Sequence, residues 1–354
     1  MAERVGRRVG ALLVVAASAL WAFAPVAGQA PAGVARPWTT PRTADGQPDL
    51  QGNWTNATIT PIDRPQGAPP VYTEQQVRRM EKGYADRVER LAQPSDPNRT
   101  APPQGGDGST GAAGNVGGYN NFWIDPGDRV AVVNGEYRSS LIVEPPTGRP
   151  PELSDTGKAR AAARAEWLRT RGGEYDHPEF RPLAERCLMS FGSNAGPPML
   201  PNYFYNNNYQ IVQTKDQILI LVEMVHDVRV IRLNATTHPP AHVRTWMGDS
   251  IGRWEGDTLV VETTNFHPLQ AFRGASGSLK VLERFRRVDA DTILYTFTID
   301  DPATWTAQWS GEVPFRRSEE PIYEYACHEG NYALSNILSG ARAQERETET
   351  KKPQ

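Results

Sequence analysis

Hydrophobic and polar residues alternate along much of the second half of the chain, and this alternation predicts a series of β-strands. The clearest stretch is residues 248–266, GDSIGRWEGDTLVVETTNF, where two β-favouring runs meet at the turn of residues 255–257. A turn with glycine at this place is typical of an antiparallel hairpin. The pattern recurs on both sides and predicts a meander of neighbouring antiparallel strands, which we assign to residues 209–214, 217–225, 279–288, 292–299, 306–316 and 322–327.

Two segments outside the meander have helical patterns. Residues 73–93 begin with a Thr-x-x-Gln capping box and carry one apolar stripe. A second helix is predicted over residues 154–171, from a serine cap to a Gly-Gly pair, with Trp167 and Leu168 as its apolar anchors. Long segments rich in proline and glycine connect these elements.

Together these patterns predict a mainly β protein: an antiparallel meander forming a lipocalin-like barrel or a strongly curved sheet, with two accessory helices and long Pro/Gly loops. Gly52 and Trp54 form a Gly-x-Trp pattern that resembles the opening of lipocalin-like barrels, in which the tryptophan plugs one end. We predict a single domain over residues 33–340, in which residues 33–200 form an extended wrap, the two helices and loops, and residues 201–330 form the meander. A disordered, charged tail is predicted over residues 341–354.

Residues 1–32 have the composition of a secretory signal peptide. Arginines precede an apolar run at residues 11–24, which is shorter than the roughly 20 residues that span a bilayer. Cleavage is expected after Ala32, or alternatively after Ala27. The protein is therefore predicted to be periplasmic or secreted, without membrane insertion after signal cleavage. Its net charge of -3 argues against a nucleic-acid partner.

The chain has two cysteines, Cys187 and Cys327, and in an exported protein they most simply form one disulfide. Such a bond would close a loop that contains nearly the whole meander. The alternative is that Cys327, which is followed by His328 and Glu329, is a thiol nucleophile.

Three glutamates, Glu223, Glu262 and Glu283, interrupt strand faces that are otherwise apolar. A carboxylate on such a face is either paired or strained, and burial in general raises a carboxyl pKa toward the range that suits a general acid or base. His226 and Asp227 are predicted at a turn near a strand end, where an imidazole beside an acid can shuttle protons. The alternatives are glutamates paired with arginines such as Arg229, and a solvated histidine at an ordinary turn.

Aromatic and amide side chains cluster in two loops. Aromatic faces beside amides suit a sugar ring or a planar aromatic ligand. The alternative is a structural loop whose amides satisfy its own backbone. The candidate substrate-binding residues are Tyr119, Asn120, Asn121, Trp123, Tyr203, Tyr205, Asn207 and Tyr209.

Cofactor and metal motifs are missing from the sequence. His238 and His242 are four residues apart, but the intervening prolines prevent the helix that would align them on a metal. There is no Gly-x-Gly-x-x-Gly after a strand, no phosphate loop and no Gly-x-Ser-x-Gly elbow. We predict no cofactor and no metal site.

Three longer motifs carry a resemblance to a known family. Residues 248–266 with their GRWEGDTLVVETTNF run, residues 282–302, and residues 322–332 with EYACHEGNY resemble an uncharacterised family of exported bacterial β-rich proteins. The resemblance covers residues 182–332 and implies export and a β-rich fold. It implies no catalytic residue, because the family has no assigned activity.

Two functions fit these patterns. The first is an exported, cofactor-free enzyme that uses acid/base carboxylate chemistry (hydrolysis, elimination or isomerisation) on a small aromatic, terpenoid or glycosidic molecule. The second is a non-catalytic periplasmic small-molecule-binding protein with the same pocket. Two or more ionisable side chains within hydrogen-bond reach inside the cavity would favour the enzyme, whereas a pocket of apolar and aromatic groups would favour the binder.

Overall fold

A computed structural model of the protein describes residues 38–92, 98, 100, 126–190, 195–202, 205–270 and 272–350. The predicted signal peptide, with Ala27 and Ala32, lies outside these residues. Within them, no helix combines the length and the apolar character that a membrane span requires.

The described residues contain thirteen strands and three α-helices. The strands are β1 (Gly52–Thr55), β2 (Val71–Tyr72), β3 (Val132–Val133), β4 (Glu136–Arg138), β5 (Ile142–Glu144), β6 (Asn208–Gln213), β7 (Gln217–Val222), β8 (Val228–Arg232), β9 (Asp249–Glu255), β10 (Thr258–Thr264), β11 (Lys280–Arg287), β12 (Thr292–Asp300) and β13 (Trp309–Arg317). The helices are α1 (Glu74–Ala92), α2 (Asp155–Thr170) and α3 (Ala333–Thr350).

Nine of these strands close into a mixed β-barrel, which confirms the predicted fold class. Their order is β1-β6-β7-β8-β9-β10-β11-β12-β13, and β13 pairs with β1 to close the ring. Strand β5 adds to the other end of β13, and β2, β4 and β3 form a separate small sheet. The accessory helices that the sequence predicts therefore lie outside a closed sheet.

One neighbouring pair in the ring departs from the antiparallel meander. Strands β8 and β9 run parallel, and their ladder has two residue pairs, Ile231 with Ser250 and Arg232 with Ile251. Parallel strands cannot be joined by a tight hairpin. Residues 233–248 therefore make the longer connection between these two strands.

The barrel interior is filled with side chains. Buried and half-buried residues alternate along the whole of β12, as expected for a strand with one face in a core. The segment of residues 195–202 adds Met199 and Leu200, both almost completely buried, to the same core. The sequence predicts a lined cavity inside the barrel, but bulky side chains occupy that space. The large, almost completely buried side chains include Trp54, Tyr209, Phe285, Tyr295, Phe297, Trp309 and Phe315.

Trp54 of the Gly-x-Trp pattern is fully buried, as a barrel plug requires. Its indole Nε1 donates a hydrogen bond to the Leu50 carbonyl at 2.9 Å. The guanidinium groups of Arg317 and Arg287 lie 5.0 and 5.6 Å from its ring centre. These distances are within the range of cation–π attraction.

The two predicted helices are present with their predicted caps. The Thr73 hydroxyl accepts from the Gln76 N–H at 3.3 Å, and the Ser154 hydroxyl accepts from the Gly157 N–H at 3.1 Å. The predicted disordered tail is instead helical as far as Thr350, in α3. Alanine, glutamate, glutamine and arginine, all good helix formers, dominate this part of the chain.

Two predictions about local structure fail. Residues 322–327 form no strand; they belong to an extended segment, residues 318–327, that we call the strap. The predicted anchors of α2, Trp167 and Leu168, are each 42 % exposed, because α2 has no continuous apolar stripe to lay against the barrel.

The disulfide between Cys187 and Cys327 is formed, with the two Cα atoms 5.8 Å apart. This confirms the predicted bond and leaves no free thiol at Cys327. The bond fixes the end of the strap to the segment between α2 and β6. Disulfides are typical of proteins in oxidising compartments.

Candidate functional site

Glu283 lies inside the barrel in an ion pair with Arg229. Glu283 is 0 % exposed and Arg229 is 2 % exposed. The Arg229 Nη1 donates to Glu283 Oε1 at 2.9 Å, and Arg229 Nη2 contacts Oε2, so the pair is bidentate. The same guanidinium donates to the hydroxyls of Ser250 at 3.0 Å and Thr263 at 2.8 Å.

Tyr295 completes this buried network. Its hydroxyl donates to Glu283 Oε1 at 2.9 Å and accepts the Met199 N–H, also at 2.9 Å. Burial raises the pKa of the Tyr295 phenol, and the negative charge of Glu283 raises it further. Glu283 is therefore a carboxylate paired with an arginine, which was the alternative to a general acid or base. Its oxygens already accept hydrogen bonds from a guanidinium and a phenol inside a packed core.

Glu262 lies on the outer side of the barrel and is partly exposed. Its carboxylate is 3.4 Å from Lys280 Nζ and 3.5 Å from His238 Nε2. His238 Nδ1 is also 2.7 Å from the Asp249 carboxylate. These contacts form a surface charge network. Across the described part of the chain, no group of three His, Cys, Asp or Glu residues could hold a metal ion.

The turn after β7 carries His226 and Asp227, as predicted, and also Glu223, which the sequence placed on the strand itself. Val225 and His226 both have left-handed backbones, with φ of 69° and 48°, which is uncommon for non-glycine residues and costly for a β-branched one. The His226 Nδ1 lies 2.9 Å from the Tyr325 carbonyl, so this nitrogen carries the proton and donates to the strap. Burial raises the pKa of the Asp227 carboxyl, while the neighbouring His226 lowers it.

Glu223 faces away from the barrel core and is covered by the strap. The residue is 3 % exposed. Its Oε2 accepts from the Asn208 side-chain amide at 2.7 Å, and its Oε1 accepts from the Tyr323 N–H at 3.2 Å. A cavity of about 390 Å³, which we call the Glu223 cavity, opens beside it. Its lining comprises Asn53, Gln210, Leu221, Glu223, His226, Pro321, Ile322, Tyr323 and Glu324.

The predicted aromatic and amide contacts fall mostly into structural roles where they are described. Tyr209 is in the core, stacked 5.3 Å from the Phe315 ring, and burial raises the pKa of its phenol. Asn207 exchanges two hydrogen bonds with Asn202, at 3.0 and 3.2 Å. Tyr205 is half-buried, and its carbonyl accepts from the Asn202 side chain at 3.1 Å. Tyr119, Asn120, Asn121, Trp123 and Tyr203 lie outside the described residues.

A larger cleft, about 780 Å³, lies between α2 and two neighbouring segments, residues 266–270 and 273–277, and the sequence did not predict it. We call it the α2 cleft. Helix α2 approaches the barrel closely at its start, where a Cβ on Gly157 would lie 2.4 Å from the Thr304 carbonyl oxygen. Further along, the helix stands away and its small and apolar side chains line open space. The apolar walls are Leu153, Ala161, Ala165, Leu168, Phe266, Pro268, Leu269 and Ala275.

The polar groups of the α2 cleft are basic or neutral. Arg160, Arg164, Arg273 and His267 line it, and none of the described lining residues is acidic. Arg273 is paired with Asp63 at 2.9 Å. Arg164 stacks 4.5 Å from the Trp167 ring, and within the described ranges no carboxylate lies at ion-pair distance from it.

Gln270 also lines the α2 cleft. Its side-chain Oε1 accepts no hydrogen bond from the described residues, but this atom is covered by protein and is not exposed to the cleft. The cleft is therefore defined by its apolar walls and its arginines.

The fold and its sites define a closed nine-strand barrel with a packed interior and clefts on its outside. Comparison with protein-family models, curated proteins and solved structures finds no significant match. Function must therefore be inferred from the clefts themselves.

Proposed function

We propose that the protein is a non-catalytic small-molecule-binding protein of the periplasm or extracellular space that holds an apolar carboxylic acid in the α2 cleft. One observation carries the proposal. An apolar cleft without described acidic lining residues contains Arg164, and none of the described carboxylates pairs with this arginine. The ligand class is an aromatic or terpenoid acid.

The energetics divide between the walls and the arginine. Burial of apolar surface contributes about 25 cal/mol per Å², so the apolar walls supply most of the affinity. An ion pair at an exposed guanidinium contributes only about 0.2–1 kcal/mol, because water screens it. Arg164 therefore acts mainly as an orienting group that distinguishes an acid from its neutral analogue.

The predicted acid–base enzyme has less support. It requires ionisable groups that converge in one cavity, but Glu283 lies in the packed core, Glu262 on the outer surface and Glu223 beneath the strap. None of the three lines the α2 cleft. Export rests on the predicted signal peptide and on the disulfide, which suits an oxidising compartment.

Calorimetric titration with 4-hydroxycinnamate tests the proposal. We expect the acid to bind about two- to fivefold more tightly than 4-hydroxycinnamyl alcohol, in keeping with an exposed ion pair. Arg164→Gln should remove this preference. Ala165→Glu, which adds a charged side chain to the cleft wall, should weaken binding of the acid by about tenfold or more.

Arg169→Gln is the matched control. Arg169 lies on the same helix but pairs with Glu166 at 2.6 Å and does not line the cleft. The variant should bind like the wild type. Absence of binding to 4-hydroxycinnamate, or equal binding by Ala165→Glu, would contradict the proposal.

A further inference from the structure

The Glu223 cavity has the opposite electrostatic character to the α2 cleft. Two acids, Glu223 and Glu324, line it, and no lysine or arginine is found among its described lining residues. We propose that this cavity binds a primary ammonium group at the end of a short alkyl chain, so that the protein has a second ligand site, specific for aliphatic amines.

Glu223 is a buried acid without a cationic partner among the described residues. The residue is 3 % exposed, yet both of its described hydrogen-bond donors, the Asn208 side-chain amide and the Tyr323 N–H, are neutral. Glu283 in the same protein has a bidentate guanidinium. Burial of an ionised carboxylate without a countercharge is costly, so a cation entering the cavity gains more at Glu223 than it would at an exposed acid.

Internal cations do not fill this role. His226 is the basic residue of the cavity lining, but its Nδ1 donates to the Tyr325 carbonyl at 2.9 Å, and no contact joins its ring to Glu223. Glu223 takes part in none of the ion pairs of the described residues, whereas Glu283, Asp249 and Glu312 each pair with an arginine. Among the described residues, therefore, none supplies a countercharge to Glu223, and a cationic ligand could supply it.

The remaining lining groups select the form of the cation. Leu221, Pro321 and Ile322 provide apolar surface for an alkyl chain, and the carboxylate requires N–H donors, which a primary ammonium supplies and a quaternary ammonium lacks. The volume of about 390 Å³ is at the small end for ligand pockets, which fits a short chain.

Putrescine (1,4-diaminobutane) and 1,4-butanediol form a matched pair of probes for calorimetry on the full-length, disulfide-bonded protein. Putrescine should bind, and the neutral diol of the same length should not. Glu223→Gln removes the charge while keeping the side-chain volume, and it should weaken putrescine binding by about tenfold or more. Glu319→Gln, an exposed acid of the strap that does not line the cavity, should leave the affinity unchanged.

A second variant keeps the test decisive if Glu223→Gln is poorly folded. Ile322→Trp fills the cavity from the strap and leaves the sequence of the barrel strands unchanged, and it should also abolish putrescine binding. Equal affinity for putrescine and butanediol, no binding of putrescine, or unchanged binding in Ile322→Trp would each overturn the proposal. Because the α2 cleft is a separate site, 4-hydroxycinnamate binding should be the same in all of these variants.

Discussion

Replacing Glu283 with alanine is expected to lower the free energy of unfolding by about 3–5 kcal/mol. The substitution leaves the Arg229 guanidinium buried at 2 % exposure without its carboxylate, and it removes the acceptor of the Tyr295 hydroxyl. An uncompensated charge in a packed core is among the largest single costs a substitution can impose. Urea unfolding followed by circular dichroism measures the change.

Two controls separate the unpaired charge from simple loss of volume. The double variant Arg229→Met/Glu283→Leu removes both charges, so it should be distinctly more stable than Glu283→Ala. Glu255→Ala breaks the solvent-exposed pairs with Arg253 and Arg284 and should cost far less. If Glu283→Ala and Glu255→Ala destabilised the protein equally, the buried network would have no special weight.

Removing the disulfide by the double substitution Cys187→Ala/Cys327→Ala is expected to cost up to about 5 kcal/mol. The bond joins residues 140 positions apart, and the loop-entropy relation gives a cost of that order for so long a closure. The loss should also release the strap, because the bond anchors the strap at Cys327. Unfolding in urea gives the stability change, and chymotrypsin cleavage after Tyr323 or Tyr325 reports on the strap.

The wild type in reducing buffer provides the comparison for this variant. It should unfold at the same urea concentration as the double variant, since both lack the bond. An unchanged free energy of unfolding in the variant would contradict the expectation. It would mean that the denatured chain is already so compact that the disulfide does not reduce its conformational entropy further. Unchanged proteolysis would mean that the hydrogen bonds of the strap to Asn53, Glu223 and His226 fix it without the disulfide.

The strands were predictable because alternation is a local property of the sequence. Strand β7 explains why the same rule misplaced Glu223. Its residues are apolar on both faces, with Ile218, Ile220 and Val222 inside and Leu219 and Leu221 half-buried outside. The glutamate shares the outer parity, and its φ of −59° and ψ of −47° already depart from the strand.

The barrel core and the clefts depend on contacts that the sequence does not state. Glu283 was correctly expected on an apolar face, but its partner Arg229 is 54 residues away, and only closure of the barrel brings them together. The α2 cleft forms because α2 contacts the barrel closely at Gly157, whereas the rest of the helix is separated from the barrel by open space. One indication of this arrangement was present in the sequence. Residues 155–170 carry no continuous apolar stripe, so α2 is not expected to pack against the barrel along its whole length.

The single parallel ladder between β8 and β9 follows from counting. Around a closed ring, strand direction must return to its starting sense, so alternation throughout is possible only with an even number of strands. A ring of nine strands must therefore contain at least one parallel pair of neighbours. In this protein the parallel pair is β8 and β9, which share a ladder of only two residue pairs. A ring with one strand more or one strand fewer could be antiparallel throughout, so the parallel pair is a direct consequence of the odd strand number.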